Sequence, residues 1–448
     1  MHLRPFAKAT WLSLSMLPLV TGGALPANGQ TAPGYDTRVF QATAAIQPQV
    51  VQWRRDIHAH PELSNQEVRT GKLVADHLRR LGYEVRTGAA RTGVIGILRG
   101  GKPGRTVALR ADMDALPIAE PQGLPFASKV MATWEGRTVP VMHACGHDAH
   151  VAMLMGAAEI LAAMKADIPG TVILIFQPAE EGAPNGEEGG APLLIKQGAL
   201  NAPKPDAVFG LHVVPGETGL LMWRPGPFMA ASDTWEIAVK GQQTHGAMPW
   251  KGIDAASLAA DIVHAFNQIA ARQLEVSKAP IVLSVGEIHL GSRHNIIPGE
   301  FQMAGTLRTF DQAMRTIAIS KIENALKTIG GQYGATVEIR FSASNPVTSN
   351  DAKLAAQMRP TLTRAARGLV DDNANFVMGS EDFAAYEALG PTMFYHLGIG
   401  KDAAPNHSPL FTIDEAALEV GVRAHVLTAL DFLFESRASS ADKTATRH

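Results

Sequence analysis

Apolar strands that end in acidic residues or histidine place the strongest constraint on the fold of this chain. Residues 171–176 form a continuous apolar run, as expected for a strand covered on both faces, and they lead into Gln-Pro-Ala-Glu-Glu-Gly at 177–182. Strands are also expected at 106–109, before an acidic segment, and at 207–211, before His212. A stretch with helical periodicity precedes the first of these runs. Strands that alternate with helices predict an α/β domain whose ligand site lies beyond the carboxyl ends of its strands.

The middle of the chain has a different periodicity. Apolar spacing predicts strand, helix, strand, strand, helix and strand near residues 235–240, 254–273, 281–289, 301–310, 312–329 and 337–341. This β-α-β-β-α-β order is the ferredoxin-like arrangement. We therefore predict an inserted ferredoxin-like α+β domain at 233–344, between a first part of the α/β domain at 38–232 and a second part at 345–435.

Composition excludes several other classes of protein. With 448 residues, 46% hydrophobic and 18% charged, the chain resembles an ordinary globular protein rather than a disordered or collagen-like one. Its 40 Lys and Arg balance 42 Asp and Glu, and this balance argues against a nucleic-acid binder, which usually needs a basic face. The single cysteine, Cys145, excludes an intramolecular disulfide framework.

The two ends of the chain differ from the body. Basic residues before position 9, an apolar run at 11–20 that is too short to span a membrane, and small residues up to position 29 are typical of a secretory signal peptide. We predict that residues 1–29 are this peptide, that the protein is periplasmic or secreted, and that no membrane span remains after cleavage. The polar tail at 436–448 is predicted to be disordered.

The segment 143–150 carries Cys145 and three histidines, including His147. Residues two apart point to different sides of a regular helix, but a turn that contains Gly146 allows them to converge. Thiolate and imidazole are good ligands for zinc and similar ions. Taken alone, Cys145 and His147 fit a metal site and a buried structural pair equally well, and the three histidines favour the metal.

Glu180 and Glu181 form a second candidate group. Adjacent side chains in an extended segment diverge, so one carboxylate can bind a metal while the other acts as a general base on a bound water. The alternative is a solvated acidic turn.

His212 and His407 complete the candidates. A lone histidine is more often structural than a ligand. Two ions that share a bridging group would need about five ligands, and the candidate set contains Cys145, His147, Glu181, His212 and His407. Such a site beside a carboxylate implies hydrolysis by activated water.

The order of these motifs resembles the amidohydrolase branch of the dinuclear metallopeptidases, the M20 peptidases of subfamily D. This branch includes hippurate hydrolases, N-acyl-amino-acid amidohydrolases and auxin-conjugate hydrolases. The matching segments are 54–63, 109–117, 142–150, 177–182, 241–249, 295–298, 305–308, 378–383 and 406–409. The resemblance covers nearly all of the chain after the signal peptide. It implies a zinc-exopeptidase-type catalytic domain with helices on both faces of a mostly parallel sheet, and an inserted domain that serves as lid and dimerisation surface.

The resemblance also assigns roles to individual residues. It implies that two divalent ions per subunit, zinc or manganese with cobalt and nickel as alternatives, are bound by Cys145, His147, Glu181, His212 and His407. Cys145 would bridge the ions where the wider family uses an aspartate, and Glu180 would be the general base. In the wider family, the acid that matches Asp114 follows a ligand histidine. Here Asp112 stands in that position, and we leave it out of the predicted ligand set.

Further residues match positions outside the metal site. His245, in the inserted domain, would reach the site of a neighbouring subunit in a homodimer and stabilise the oxyanion. Asn295 and Arg308 match positions that bind the substrate carboxylate. On the residues alone, Asn295 could equally shape a turn and Arg308 could form an ordinary ion pair. His58 and Glu62 are expected to be structural.

The sequence therefore predicts a metal-dependent amidohydrolase that cleaves the amide bond of N-acyl amino acids. One alternative is a metallo-exopeptidase or dipeptidase of the carboxypeptidase type, with peptides as substrates. A more distant alternative is a non-catalytic exported protein that binds a metal or ligand. Glu180 argues against that alternative, because a binding protein has no need of a general base.

Overall fold

The computed structural model describes residues 34–435. The predicted signal peptide at 1–29 and the predicted disordered tail at 436–448 lie outside the described residues. Within 34–435, no helix combines the length and the apolar character needed to cross a bilayer.

Helices and strands alternate along most of the chain. The helices span Asp36–Ala59 (α1), Val68–Arg80 (α2), His147–Ala163 (α3), Gly190–Lys196 (α4), Ala255–Arg272 (α5), Gln312–Tyr333 (α6), Ala352–Ala365 (α7) and Ala417–Glu435 (α8), with short 3₁₀ helices at Pro249–Lys251 and Asp382–Ala388. The strands span Glu84–Ala89 (β1), Gly93–Arg99 (β2), Lys102–Asp112 (β3), Met131–Trp134 (β4), Arg137–Pro140 (β5), Pro169–Gln177 (β6), Ala207–Val214 (β7), Leu221–Met222 (β8), Gly226–Met229 (β9), Ala231–Lys240 (β10), Thr244–His245 (β11), Ile281–Leu290 (β12), Ile296–Ile297 (β13), Glu300–Thr309 (β14), Thr336–Asn345 (β15), Thr348–Asn350 (β16), Val370–Asp371 (β17) and Thr392–Gly398 (β18).

The large sheet has the strand order β1-β2-β6-β3-β7-β18-β8-β17. Its centre is parallel, since β3 pairs in parallel with β6 and β7, and β7 pairs in parallel with β18. The strands β1 and β2 add an antiparallel edge. This architecture confirms the predicted α/β class.

Both faces of the large sheet are covered, which explains the continuous apolar sequence of β6. Val172, Leu174 and Phe176 pack into a core with α1, α3, α7 and α8. Ile173 and Ile175 point the other way, into a second core with α4 and the 3₁₀ helix at Asp382–Ala388. Successive side chains of a strand alternate between faces, so a strand covered on both faces must be apolar throughout.

The second sheet has the order β12-β14-β10-β15 and is antiparallel throughout. Trp235, Ile237 and Val239 of β10 pack against α5 and α6 on one face of this sheet. The predicted ferredoxin-like order of strands and helices is present. Strand β10 begins at Ala231 and β15 ends at Asn345, so both strands run slightly past the predicted limits at 233 and 344.

Candidate metal centre

The loops and helix ends that carry the predicted ligands meet near the carboxyl ends of β3, β6 and β7. Cys145 and His147 lie at the start of α3, Glu181 follows β6, His212 lies in β7 and His407 follows β18. Their ligand atoms approach within 4.8 Å of one another in overlapping groups, namely Cys145, His147 and His212; Cys145, Glu181 and His407; and His147, Glu180 and Glu181. Because the groups share members, they form one continuous cluster with ligands for two ions.

Gly146 allows Cys145 and His147 to face the same space. It precedes α3 with a φ of +92°, a conformation that glycine adopts without steric cost. A Cβ at this position would lie 2.3 Å from Cγ2 of Val213, so a larger residue would collide with β7. The turn expected from the sequence is therefore present, and it brings the thiol and the imidazole together.

Hydrogen bonds orient two of the imidazoles so that each offers Nε2 to the cluster. Nδ1 of His147 donates to the Asp114 carbonyl oxygen at 2.8 Å, and Nδ1 of His212 donates to the Val213 carbonyl oxygen at 2.8 Å. Nε2 of His147 is buried and has no hydrogen-bond partner within residues 34–435. Nε2 of His212 lies 3.3 Å from Sγ of Cys145, close to the separation of about 3.5 Å between two ligand atoms on one tetrahedral zinc.

Negative charge is concentrated at this edge of the sheet. Burial, followed by the charges of Glu381, Glu181 and Asp382, raises the pKa of the Glu180 carboxyl well above its usual value. Burial and the neighbouring carboxylates also raise the pKa of the Cys145 thiol. Divalent cations offset such charge, and thiolate, imidazole and carboxylate are ligands that zinc and similar ions accept. The donor set therefore fits two divalent metal ions.

A buried network surrounds Arg110 that the sequence does not indicate. This fully buried guanidinium donates to Asp112 Oδ2 at 2.6 Å, to Glu381 Oε1 at 2.8 Å and to Asp382 Oδ1 at 3.1 Å. The segment 378–383 was noted only as a matching motif, without a role. Arg110 now connects that segment to the end of β3. A strand that ends in acidic residues was the available signal, but it could not indicate which distant residues contact Arg110.

Asp112, which the sequence analysis left out, lies inside the cluster. Its Oδ2 is 3.7 Å from Nε2 of His147. Its Oδ1 accepts a hydrogen bond of 2.5 Å from Nδ1 of His150, whose Nε2 accepts the Val213 N–H at 2.9 Å. Both ring nitrogens of His150 are thus engaged in hydrogen bonds that join β3, α3 and β7.

Asp114 supports the backbone of the Glu180-Glu181 pair. Its carboxylate accepts the backbone N–H of Glu180 at 3.1 Å and that of Glu181 at 3.0 Å, and it also accepts the Ser64 hydroxyl at 2.7 Å. Through its own carbonyl it orients His147 as well. Asp114 therefore connects the general-base candidate to a predicted ligand.

A cavity of about 690 Å³ opens beside the cluster. Cys145, Glu180, Glu181, His212 and His407 line it from the large sheet. Its other walls combine apolar and polar residues, and the second sheet contributes Ser232, Thr234, Arg308 and Asn345. The predicted base, four of the predicted ligands and Arg308 thus face a common space large enough for a small organic substrate.

His245 and Asn295 are absent from the lining of this cavity within residues 34–435. They lie next to each other where β11 and β13 form a separate two-stranded sheet and the Gly246 N–H donates to the Asn295 carbonyl oxygen at 2.8 Å. His245 is exposed. A single chain therefore does not bring these two predicted residues to its own cluster.

Glu62 has the structural position expected of it. Its carboxylate accepts the backbone N–H groups of Arg69 at 2.7 Å and Thr70 at 2.8 Å, in the first turn of α2. His58 is buried and its Nδ1 lies 2.9 Å from Oδ2 of Asp148. Glu62 therefore caps the start of α2, and His58 joins α1 to α3.

Comparisons with known proteins agree with this geometry. The sequence model of peptidase family M20/M25/M40 matches residues 108–431. Thermostable carboxypeptidase 2 of Saccharolobus solfataricus is 41% identical over 394 residues, which cover 86% of this chain and 96% of that protein. The N-acyl-L-amino acid amidohydrolase of Geobacillus stearothermophilus is 40% identical over 308 residues, which cover 68% of this chain and 79% of that protein.

A solved structure is similar to most of this chain. A dinuclear metal-binding peptidase of the M20 family from Bacillus subtilis is 34% identical, with a TM-score of 0.72, and the match covers 87% of this chain and 99% of that one. Family match, relatives and the cluster of metal-ligand candidates lead to one conclusion. The chain belongs to peptidase family M20/M25/M40 and is a metal-dependent hydrolase.

Proposed function

We propose that the protein is an amidohydrolase that cleaves the amide bond of N-acyl amino acids into a carboxylic acid and a free amino acid. One observation carries this proposal: Glu180 and Arg308 line the same cavity, the first beside the metal-ligand cluster and the second on the second sheet. An N-acyl amino acid has an amide bond that can lie beside Glu180 and a free carboxylate that can pair with Arg308. The name of the Geobacillus stearothermophilus relative supports this substrate class.

The residues of the chain divide the reaction between them. When bound, two divalent ions would polarise the amide carbonyl and lower the pKa of the attacking water. The Glu180 carboxylate accepts a proton from that water as its oxygen bonds to the carbonyl carbon. The same carboxyl then donates the proton to the amine nitrogen as the carbon–nitrogen bond breaks. His245 of a neighbouring subunit would donate a hydrogen bond to the oxyanion.

The test is hydrolysis by the metal-loaded protein of matched substrates: N-acyl amino acids, dipeptides and the corresponding C-terminal amides. The proposal expects the highest kcat/KM on N-acyl amino acids. Preference for dipeptides would favour the carboxypeptidase-type alternative, which the 41% identical carboxypeptidase supports. If no substrate is hydrolysed, both the amidohydrolase proposal and the carboxypeptidase-type alternative are refuted, and the binding-protein alternative is left.

Arg308 is free to bind a substrate carboxylate. Its guanidinium is half-buried, and within residues 34–435 no carboxylate forms an ion pair with it. Its Nη1 makes only a long hydrogen bond of 3.4 Å to the Leu307 carbonyl oxygen. A guanidinium and a carboxylate form strong charge-assisted hydrogen bonds when water is excluded.

Replacing Arg308 by alanine is expected to raise KM by about 10- to 100-fold for substrates with a free α-carboxylate, as for loss of a hydrogen bond to a charged group. The corresponding amides should change little, because they cannot form the charged pair. Arg340→Ala, on the exposed face of the same sheet, is the matched control and should leave both KM values unchanged. Equal losses on acids and amides would show that Arg308 is structural.

We also propose a homodimer joined through residues 233–344, in which His245 completes the neighbouring subunit's site. The support is that His245 is exposed and lies outside the cavity of its own chain. Two large apolar side chains beside it are also exposed, Met248 at 40% and Trp250 at 76%. Such side chains are typical of protein interfaces.

Subunit mixing tests the shared site. Glu180→Gln and His245→Ala homodimers should each be nearly inactive. After exchange, half of the dimers are mixed, and each mixed dimer has one site with both lesions and one with neither. Activity should therefore return to about a quarter of wild type. If exchange is verified by mass spectrometry and no activity returns, His245 does not act in the neighbouring site.

For the metal we propose zinc or manganese. The Cys145 thiolate and the imidazoles favour zinc, whereas the carboxylates also suit manganese. Elemental analysis of protein purified without added metal tests the identity, and a content of about two ions per chain is expected. Finding cobalt or nickel as the native ion would refute the proposal of zinc or manganese.

A further inference from the structure

Ala179, which directly precedes Glu180 and Glu181, has an unusual backbone. Its φ is +52°, in the left-handed region, and the residue is buried. An L-residue with a Cβ is disfavoured there, so the surrounding structure must hold it. The direction in which the next two side chains leave the backbone depends on this conformation. Whatever holds Ala179 therefore also orients the general-base candidate and a predicted metal ligand.

The group that contacts this backbone from outside the turn is Glu67. Its Oε1 accepts the Ala179 N–H at 2.9 Å and the Asn65 N–H at 3.0 Å. Its Oε2 accepts the Thr92 hydroxyl at 2.5 Å. The side chain is completely buried at the start of α2, so hydrogen bonds from three different segments set the position of its carboxylate.

Three successive N–H groups of the turn are thereby bound by two buried carboxylates. Glu67 accepts the first, from Ala179, and Asp114 accepts the next two, from Glu180 and Glu181. Asp114 also orients His147, so it is part of the metal centre itself. Glu67 has no hydrogen bond to a predicted ligand side chain in the described part of the chain, and its hydrogen bond to the turn is made with the Ala179 backbone.

We propose that Glu67 is a positioning residue, whose carboxylate holds Ala179 in the left-handed conformation and thereby directs Glu180 and Glu181 into the cavity. Its effect on metal affinity requires only that Glu181 binds metal. Its effect on turnover rests on the proposed function. The role depends on the reach of the side chain rather than on its charge, because the contact is a hydrogen bond from a neutral N–H.

Two substitutions at Glu67 distinguish the effect of side-chain length from the effect of charge. Glu67→Asp keeps the carboxyl group but withdraws it by about 1.5 Å, one carbon–carbon bond. It is expected to weaken metal binding and lower kcat by about 10- to 100-fold, as is usual when support for a ligand is lost, while KM changes little. Glu67→Gln keeps the length, and its amide oxygen can still accept the Ala179 N–H. This variant should stay within about threefold of wild type in both measurements.

Glu62→Asp is the matched control. Glu62 lies five residues earlier and also accepts two backbone N–H groups, those of Arg69 and Thr70, but within residues 34–435 it makes no hydrogen bond to the 178–182 turn. Shortening the Glu62 side chain should lower the melting temperature without changing metal affinity or kcat. This control distinguishes a general loss of stability near the start of α2 from a specific change in the conformation of the 178–182 turn.

Metal affinity is measured by competition of Co²⁺ with a chelating indicator, which needs no substrate. If wild type cleaves no N-acyl amino acid, the proposed function fails while this measurement still decides the role of Glu67. Weakened Co²⁺ binding in Glu67→Asp, with recovery in Glu67→Gln, supports the proposal. Wild-type Co²⁺ affinity in a folded Glu67→Asp variant, or an equal loss in Glu62→Asp, overturns it.

Discussion

Glu180→Gln should keep both metal ions but lower kcat by a factor of about 10² to 10⁴, the usual contribution of a general base. The amide has nearly the shape of the carboxylate, so the cavity and the cluster around it stay intact. It cannot accept the proton of the attacking water. Glu180 lines the cavity beside a predicted ligand, where its carboxylate can take the proton of the attacking water. The measurement is kcat on an N-acyl amino acid together with elemental analysis.

Two neighbouring glutamates provide the comparison. Glu181→Gln should instead lower metal occupancy, because Oε1 of Glu181 lies among the ligand atoms, 3.1 Å from Nε2 of His407. Glu188→Gln should change neither quantity, since Glu188 is exposed and pairs with Lys196. Reversed phenotypes for Glu180 and Glu181 would mean that the roles of base and ligand are exchanged.

Cys145→Ala should abolish metal binding and activity together. Cys145 belongs to two of the overlapping ligand groups, one with His147 and His212 and one with Glu181 and His407. A residue shared by both groups can bridge two ions, and its loss removes a ligand from each. Metal content should fall from about two ions per chain toward none, and turnover should fall below detection.

The control for this variant is the metal-free wild type. Cys145 is buried in the core, but alanine removes only one sulfur atom, so the chelated wild type and the variant should have similar melting temperatures. Adding Zn²⁺ should raise the melting temperature of wild type and leave that of Cys145→Ala unchanged. Full metal content and normal turnover in the variant would contradict the assignment of Cys145 as a ligand.

Local sequence patterns were sufficient to predict the α/β class, the ferredoxin-like order of the second sheet and the convergence of the candidate ligands. The apolar run of β6 is as expected for a strand covered on both faces, and the carboxyl ends of parallel strands meet at one edge. Polar residues after β6 and within β7 were therefore expected to lie close together. Gly146 indicated the turn between Cys145 and His147 because glycine adopts a left-handed conformation without steric cost.

The supporting contacts were decided only by the tertiary structure. Arg110 and Glu381 are 271 positions apart in the chain, and Glu67 and Ala179 are 112 apart, yet both pairs are hydrogen-bonded. Periodicity reports which face of an element is buried, but it carries no information on which distant side chain meets it. The left-handed conformation of Ala179 was equally hidden, because alanine has no preference for it and adopts it under constraint from Glu67. The sequence by itself indicated that the ligand candidates, Glu180 and Arg308 share one site, whereas the Arg110 network and the directions of the site's side chains depend on long-range hydrogen bonds that only the tertiary structure provides.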